Sequence, residues 1–471
     1  MHNGPEICAK LLVSIFLKQS KLNHTIIRNA RIINEGKDTR GDVLVVGDRI
    51  EKIGSSIGLP AYINFKEINA ENLVLIPGMI DAHVHFREPG LTHKGSIQTE
   101  SAAAVSGGIT SFMDMPNTLP NVLTREILEE KYKIASQSSL CNYSFFMGLS
   151  KDNLDEALQT STEDVCGLTD DGLYLEGGKL LCNDPEYLEQ LFARAPHLVA
   201  LHSEDDNIIA ANLSRFKKQF SEYIPPAYHS LIHDQEACLT ATMNLLELAK
   251  KFNNRLHLLH VSTGPESELF EQNNDVRSKR ITSEACVHHL YFNTNDYEEL
   301  GNLIKWNPSI KSLVDQQTLR HNLYTDKIDI IATDHAPHAL HEKIGSYTDV
   351  RPGGPMVQHA LAVLLEMYHQ HKISLEKIVE KTSHHVAEVY RIKERGYIRE
   401  GYFADLVLLD LNDDLLVTKE NIRYQCNWSP LVGNVLRGQV KKVMVNGHWA
   451  FDNGMINDTF RGMRMKFEKE R

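Results

Sequence analysis

Two textures of apolar and polar positions alternate along this chain. Near both ends, short runs rich in β-branched residues alternate apolar with polar positions and stop at turn residues. Residues 25–33 (TIIRNARII) end at Asn34, Glu35 and Gly36, and residues 42–46 and 50–53 are separated by Gly47 and Asp48. Period-two patterning bounded by Gly, Asn and Asp predicts strands joined by tight turns. The same texture returns at 404–409 (ADLVLL) and 440–451, where Asn446-Gly447 supplies a hairpin turn. The pattern predicts a small β-sandwich domain assembled from both termini.

Between 78 and 398 the pattern changes to apolar runs separated by longer stretches of helical period. Strands are predicted over 110–115, 143–148, 165–169, 198–201, 256–260, 281–287 and 328–333. Helices are predicted between them, such as 124–136, 234–252 and 355–368. Repeated βα units over roughly 250 residues or more predict a (β/α)8 TIM-type barrel of the α/β class. The expected boundaries are an extension at 1–24, the first part of the β-domain at 25–77 and the barrel at 78–398. The second part of the β-domain follows at 399–452, and a tail at 453–471.

The chain has 471 residues, 42% hydrophobic, enough for a large core. Its formal charge of −12 argues against a surface for nucleic acid. Seven cysteines without CxxC spacing read as reduced thiols in a cytoplasmic protein. No apolar run approaches the roughly 20 residues that span a bilayer, so no membrane association is expected. Residues 7–17 are apolar but interrupted by Lys10, with no basic stretch before them and no small-residue cleavage site after them. That argues against a signal peptide and leaves 1–24 as an amphipathic extension or a start-site artefact.

The chemistry enters at 73–90, LVLIPGMIDAHVHFREPG. Residues two apart on a strand face the same way, so His83 and His85 share a side and suit Zn(II) or a similar ion. Arg87 adds a fixed cation beyond them. In a (β/α)8 barrel the reacting groups sit at the C-terminal ends of strands, and polar residues follow each apolar run here. Asn117 follows in MDMPNT, Asp170 and Asp171 in VCGLTDDG, His202 after LVAL and His260 after LHLL. Asn307 follows in IKWNPSI, and Asp334, His335 and His338 in IDIIATDHAPH. Alone, each reads as a core histidine, a turn or a loop; together at successive strand ends they point to one metal centre.

The ordered set PGMIDAHVHFREPG, GGITSFMDMPNT, TDDG, LHSED, LLHVST, KWNPSIK and TDHAPH resembles the dihydroorotases of the amidohydrolase superfamily, and the likeness runs from about residue 25 to about 452. The resemblance implies two zinc ions, one held by His83, His85 and Asp334 and the other by His202 and His260. A carboxylate would bridge them. Many relatives use a carboxylated lysine there; this chain has Thr169, and its TDDG matches a branch bridged by aspartate. Asp171 is preferred over Asp170, and Lys179, in the loop EGGK, is not expected to serve. Asp334 would also carry the proton to the leaving nitrogen. Arg87, Asn117 and His338 would hold the substrate carboxylate, while Asn307 and the loop at Gly353-Gly354 would meet the ring amide. The implied reaction is reversible cyclisation of N-carbamoyl-L-aspartate to L-dihydroorotate in pyrimidine synthesis, by a homodimer or higher homo-oligomer. Hydantoinase or allantoinase activity is the nearest alternative, opposed by Arg87 and the aspartate bridge. A non-catalytic scaffold relative is the other, opposed by the retained ligands.

Overall fold

The structure, a computed structural model, describes residues 24–59, 64–173, 180–221 and 223–469. The reading of 1–24 falls, His24 apart, outside the described residues, and so does Lys179.

Apolar runs flanked by Gly and Asn become the strands of two sheet systems. The first is a nine-stranded, mostly antiparallel sheet from both ends of the described chain. It contains β1 (His24–Asn34), β2 (Lys37–Val46), β3 (Arg49–Gly54), β4 (Lys66–Asn69) and β5 (Val74–Pro77). Beyond the barrel it gains β15 (Leu406–Leu416), β16 (Val435–Val445), β17 (His448–Asp452) and β18 (Met455–Ile456). Period two gives the sheet two buried faces. Val74, Ile76, Val407 and Leu409 pack into the barrel cluster, whereas Leu75, Leu406 and Leu408 join Ile27, Ile32, Val43 and Ile50 in a second core. The β2–β3 hairpin folds back over that core, with Ile50 N donating to Tyr402 O (2.9 Å) and Ala404 N to Asp48 O (2.9 Å).

The second system is the barrel. Its staves are β6 (Met79–Val84), β7 (Ile109–Asp114), β8 and β9 (Asn142–Phe145 and Met147–Gly148, one stave with a break) and β10 (Leu168–Thr169). The rest are β11 (Leu198–Leu201), β12 (Arg255–Leu258), β13 (Ile281–Cys286) and β14 (Ile330–Ala332). All neighbours are parallel, and a parallel bridge from Val84 to His335 closes the circle.

Caps at Thr124 and Asp234 start the helices Arg125–Ser138 and Gln235–Phe252, accepting from Ile127 N and Ala237 N. The helix predicted from 355 begins only at Ala360, because Met356 N turns inward to His335 Nδ1, 2.9 Å away. Residues 462–467 form a strap beneath the barrel. Gly462 N donates to Ser139 O (2.8 Å) and Met465 N to Tyr143 O (2.9 Å), with Met465 and Phe467 buried.

Candidate active site

The donors leave the C-terminal ends of the staves and converge. His83 and His85 stand at the end of β6, Asp171 two residues past β10, His202 just past β11, and His260 and Asp334 two residues past β12 and β14. Arg87, His260 and Asp334 adopt positive φ of 69°, 35° and 43°. Such backbone costs of order 1–3 kcal/mol per residue and persists where the surrounding structure over-determines it.

Asp171 lies at the centre. Its Oδ2 is 3.3 Å from both His83 Nε2 and His85 Nε2, while its Oδ1 is 3.4 Å from His202 Nδ1 and 3.5 Å from His260 Nε2. One carboxylate thus faces two imidazole pairs through different oxygens. Asp334 Oδ1 reaches the first pair, 3.1 Å from His85 Nε2 and 3.5 Å from His83 Nε2. Asp170 turns away: its carboxyl accepts from Leu181 N (3.0 Å) and His202 N (3.4 Å), and burial pushes its pKa up to about 6.

The far nitrogen of three imidazoles is anchored. His83 Nδ1 meets Glu284 Oε1 at 2.6 Å, His85 Nδ1 meets Asn117 Oδ1 at 2.8 Å, and His202 Nε2 meets Glu204 Oε2 at 2.8 Å. Each contact fixes the tautomer whose lone pair points at the centre, the outer-shell arrangement of metal-binding histidines. Glu284 also accepts from His260 N (3.2 Å) and faces His257 Nε2 (3.2 Å); Glu204 takes His233 Nδ1 at 2.9 Å. Both glutamates lie outside the residues singled out from sequence. Glu204 is inside the LHSED segment, and Glu284 interrupts the stave ITSEAC; a fully buried carboxylate in an apolar strand was the available signal.

Electrostatics tie the group together. Burial works against the Asp171 carboxylate, yet the four surrounding imidazoles hold it well below the usual range. Burial lowers His202, but Asp171 and Glu204 outweigh it and lift the ring to about 10; His83 is lifted likewise by Glu284, Asp171 and Asp334. Two carboxylates facing four imidazoles call for shared positive charge. Neither ring nitrogen of buried His260 has a hydrogen-bond partner among the described residues. Oxygen and imidazole donors with an orphaned nitrogen fit divalent cations. Two triads are close enough to hold one each: His83, His85, Asp171 and Asp171, His202, His260.

A pocket opens beside these donors, lined by Arg87, Asn117, Gly172, Asn307 and Gly353 among others. Arg87 is buried; its Nε donates to Pro337 O at 3.1 Å and its Nη2 lies 3.3 Å from His338 Nε2. Burial lowers the guanidinium to about 10, which leaves it charged at neutral pH. His338 sits behind Arg87, and Lys94 Nζ is 3.2 Å from its Nδ1. Burial, with Arg87 and Lys94 beside it, holds this imidazole well below its usual pKa. Asn117 spends Oδ1 on His85, so Nδ2 is its free end. A Cβ at Gly172 (φ 74°) would come within 2.2 Å of that nitrogen, which only glycine avoids.

A closed parallel barrel with His and Asp donors at its mouth defines a class. Residues 74–179 and 241–450 match the amidohydrolase family, and the chain belongs to it. Within that family it stands with the dihydroorotases. It is 31% identical over 422 residues to the dihydroorotase of Halobacterium salinarum (87% of this chain, 92% of that protein). It is 30% identical over 443 residues to the dihydroorotase of Ehrlichia chaffeensis (91% and 95%). Among solved structures, the L-hydantoinase of Arthrobacter aurescens superimposes with a TM-score of 0.85 at 24% identity, over 93% of this chain and 97% of that one. The dihydropyrimidinase of Brevibacillus agri gives 0.82 at 23%, over 95% and 98%. These two share the barrel and β-rich domain. The chain is a hydrolase acting on cyclic amides.

Proposed function

We propose that the chain is a zinc-dependent dihydroorotase, cyclising N-carbamoyl-L-aspartate reversibly to L-dihydroorotate and water in pyrimidine synthesis. The observation that carries this is the Asp171 carboxylate set between two histidine pairs, with the buried Arg87 charge in the same pocket. His83, His85 and Asp334 would hold one zinc, His202 and His260 the other, and Asp171 both. Zinc bound there would supply Lewis-acid polarisation of the amide carbonyl and of the attacking water.

The chain's own groups do the rest. The Arg87 guanidinium, charged and tied to Pro337 O, offers its remaining N–H groups to a substrate carboxylate. Asn117 Nδ2 adds a donor, and neutral His338 supports Arg87 from behind. Asn307 and the Gly353 loop meet the ring amide. Asp334, at the edge of the donor cluster, accepts the proton of the attacking water and returns it to the departing nitrogen. In the direction of cyclisation the carbamoyl nitrogen bonds to the carboxyl carbon, and the same carboxylate takes the nitrogen's proton and passes it to the departing oxygen, which leaves as water.

Hydantoinase activity is the second reading, because the solved structures of this fold described above are a hydantoinase and a dihydropyrimidinase. Arg87 speaks against it: a buried cation has no partner on an uncharged hydantoin ring. The six described cysteines are buried and joined by no disulfide among the described residues, where no helix is long and apolar enough to cross a membrane. We place the enzyme in the cytoplasm, as a homodimer or higher oligomer.

The test is ultraviolet-monitored ring opening of L-dihydroorotate by the zinc-loaded enzyme, with hydantoin and allantoin run alongside and bound metal counted. Turnover of dihydroorotate alone is expected. Turnover of hydantoin without dihydroorotate would replace the substrate.

A further inference from the structure

The pocket wall beside Asn307 is an indole. Trp306 lines the pocket and is itself fully buried. It stacks on His288 with ring centroids 4.4 Å apart and planes 11° from parallel. Gly354 lies against it as well: a Cβ there would come within 2.6 Å of Cζ2 and 2.8 Å of Cη2. The Trp306 carbonyl takes a hydrogen bond from His229 Nε2 (2.6 Å), and His229 Nδ1 meets the Tyr347 hydroxyl (2.7 Å).

Two buried lysines tie the surrounding backbone. Lys305 Nζ donates to Tyr347 O (2.6 Å) and Val350 O (2.7 Å). Lys343 Nζ donates to Gly353 O (2.7 Å), Arg351 O (2.9 Å) and Lys305 O (3.2 Å). The segment carrying Trp306 and the loop carrying Gly353 are therefore clamped together. A wall held this way selects by shape, because close-packed side chains yield little to an oversized ligand.

The wall also carries unsatisfied polarity. Neither Trp306 Nε1 nor Asn307 Oδ1 has a hydrogen-bond partner among the described residues, although both atoms are buried. Such groups are costly to leave unpaired. Two adjacent lining residues thus carry one unpaired donor and one unpaired acceptor, the types that the C=O and N–H groups of a cyclic ureide call for.

We propose that Trp306 determines which cyclic ureides this pocket takes: the indole N–H receives a ring carbonyl, and its bulk excludes rings carrying large apolar substituents. This deepens the dihydroorotase reading and rests on it.

The experiment measures kcat and KM for L-dihydroorotate and for 5-benzylhydantoin in the wild type, W306F, W306A and G354A, with metal content and melting temperature alongside. W306A is expected to lose about tenfold in kcat/KM on dihydroorotate and to gain about tenfold on the hydantoin, within the range one pocket contact controls. W306F keeps the bulk and loses the N–H, so it should still exclude the hydantoin while its dihydroorotate KM rises with kcat nearly unchanged. G354A pushes the indole off His288 and should lower kcat/KM on dihydroorotate with full metal content. A W306A enzyme with native melting and metal but the wild-type substrate ratio overturns the proposal. If W306A does not fold, an unchanged KM in W306F together with an unaffected G354A overturns it equally. A wild type inactive on dihydroorotate removes the substrate reading instead, and a shifted substrate range in W306A would then still support the wall.

Discussion

The mouth and the floor of the barrel both bury charge, and they bury it in opposite ways. At the floor, Arg395 pairs with Asp405 and donates to Asn446 Oδ1 (2.9 Å); Asn446 N donates to Asp405 Oδ1 (2.8 Å). Asn446 Nδ2 reaches Asn142 Oδ1 (2.7 Å), and Asn142 Nδ2 returns to Asp405 Oδ2 (3.2 Å). Met463 N from the strap also donates to Asn142 Oδ1 (3.0 Å). The network closes on itself, joining stave β8, the terminal sheet and the strap. At the mouth, four imidazoles and two carboxylates aim at common points and leave both His260 ring nitrogens without a hydrogen-bond partner among the described residues, on backbone strained at three residues. Satisfied polarity holds the fold; convergent, unsatisfied polarity waits for a ligand. The two regions should therefore respond oppositely to substitution.

The sharpest separation is expected from Asp334→Asn. It keeps the shape and removes the proposed proton carrier, so kcat should fall by about 10³-fold or more while the melting temperature holds or rises. Steady-state kinetics beside thermal melts check this, and near-native turnover would end the role given to Asp334. At the floor, Asp405→Ala strands the buried Arg395. Losing one partner of a buried pair costs about 3–5 kcal/mol, visible as a lower urea midpoint. The folded fraction should retain kcat per bound metal. Lost activity with unchanged stability would erase the distinction between the two regions.

The mouth was more legible in sequence than the floor, for a physical reason. Metal-binding donors need particular residue types at strand ends, so HVH, TDDG and TDHAPH stand out in a linear string. The preference for Asp171 over Asp170 rests there on the TDDG resemblance alone, because adjacent residues point apart and only folded geometry shows which one faces the histidines. The floor joins Asn142, Arg395, Asp405, Asn446 and Met463, ordinary residues far apart in sequence, and no local spacing announces them. The strap at 462–467 was invisible for the same reason: its backbone bonds to Ser139 and Tyr143 leave no periodic signature. Stave β10 shrank from the predicted 165–169 to two residues, since a parallel barrel strand needs only the ladder its neighbours offer.

Glu284→Gln probes the layer between these extremes. Glu284 accepts from His83, His257 and the His260 backbone. An amide must turn its NH2 toward one of them. Outer-shell losses of this kind weaken metal affinity about 10–100-fold, measurable by competition with a chelator at fixed pH. Unchanged affinity would move Glu284 from the mouth's chemistry to the floor's structural class.

The smallest effect is expected at the seam between barrel and terminal sheet. Glu366, on the helix Ala360–His369, accepts from Arg437 of β16: Nη2 to Oε1 at 2.7 Å, Nε to Oε2 at 2.9 Å, and the backbone N to Oε2 at 3.0 Å. The Arg437 guanidinium, against the cost of burial, holds this carboxyl at about 2. A carboxylate depressed in the folded state stabilises fully above its unfolded pKa of about 4.3 and loses that contribution as pH falls toward the folded value. Arg437 is 44% exposed, so solvent screening trims the effect well below that of a buried pair. Glu366→Gln should thus lower the urea midpoint at pH 7, with activity unchanged, and the gap to wild type should narrow steadily below about pH 4.3. A gap independent of pH would mean that the side chain acts at this seam through packing and neutral hydrogen bonds, and that charge holds the two sheet systems together only at the floor.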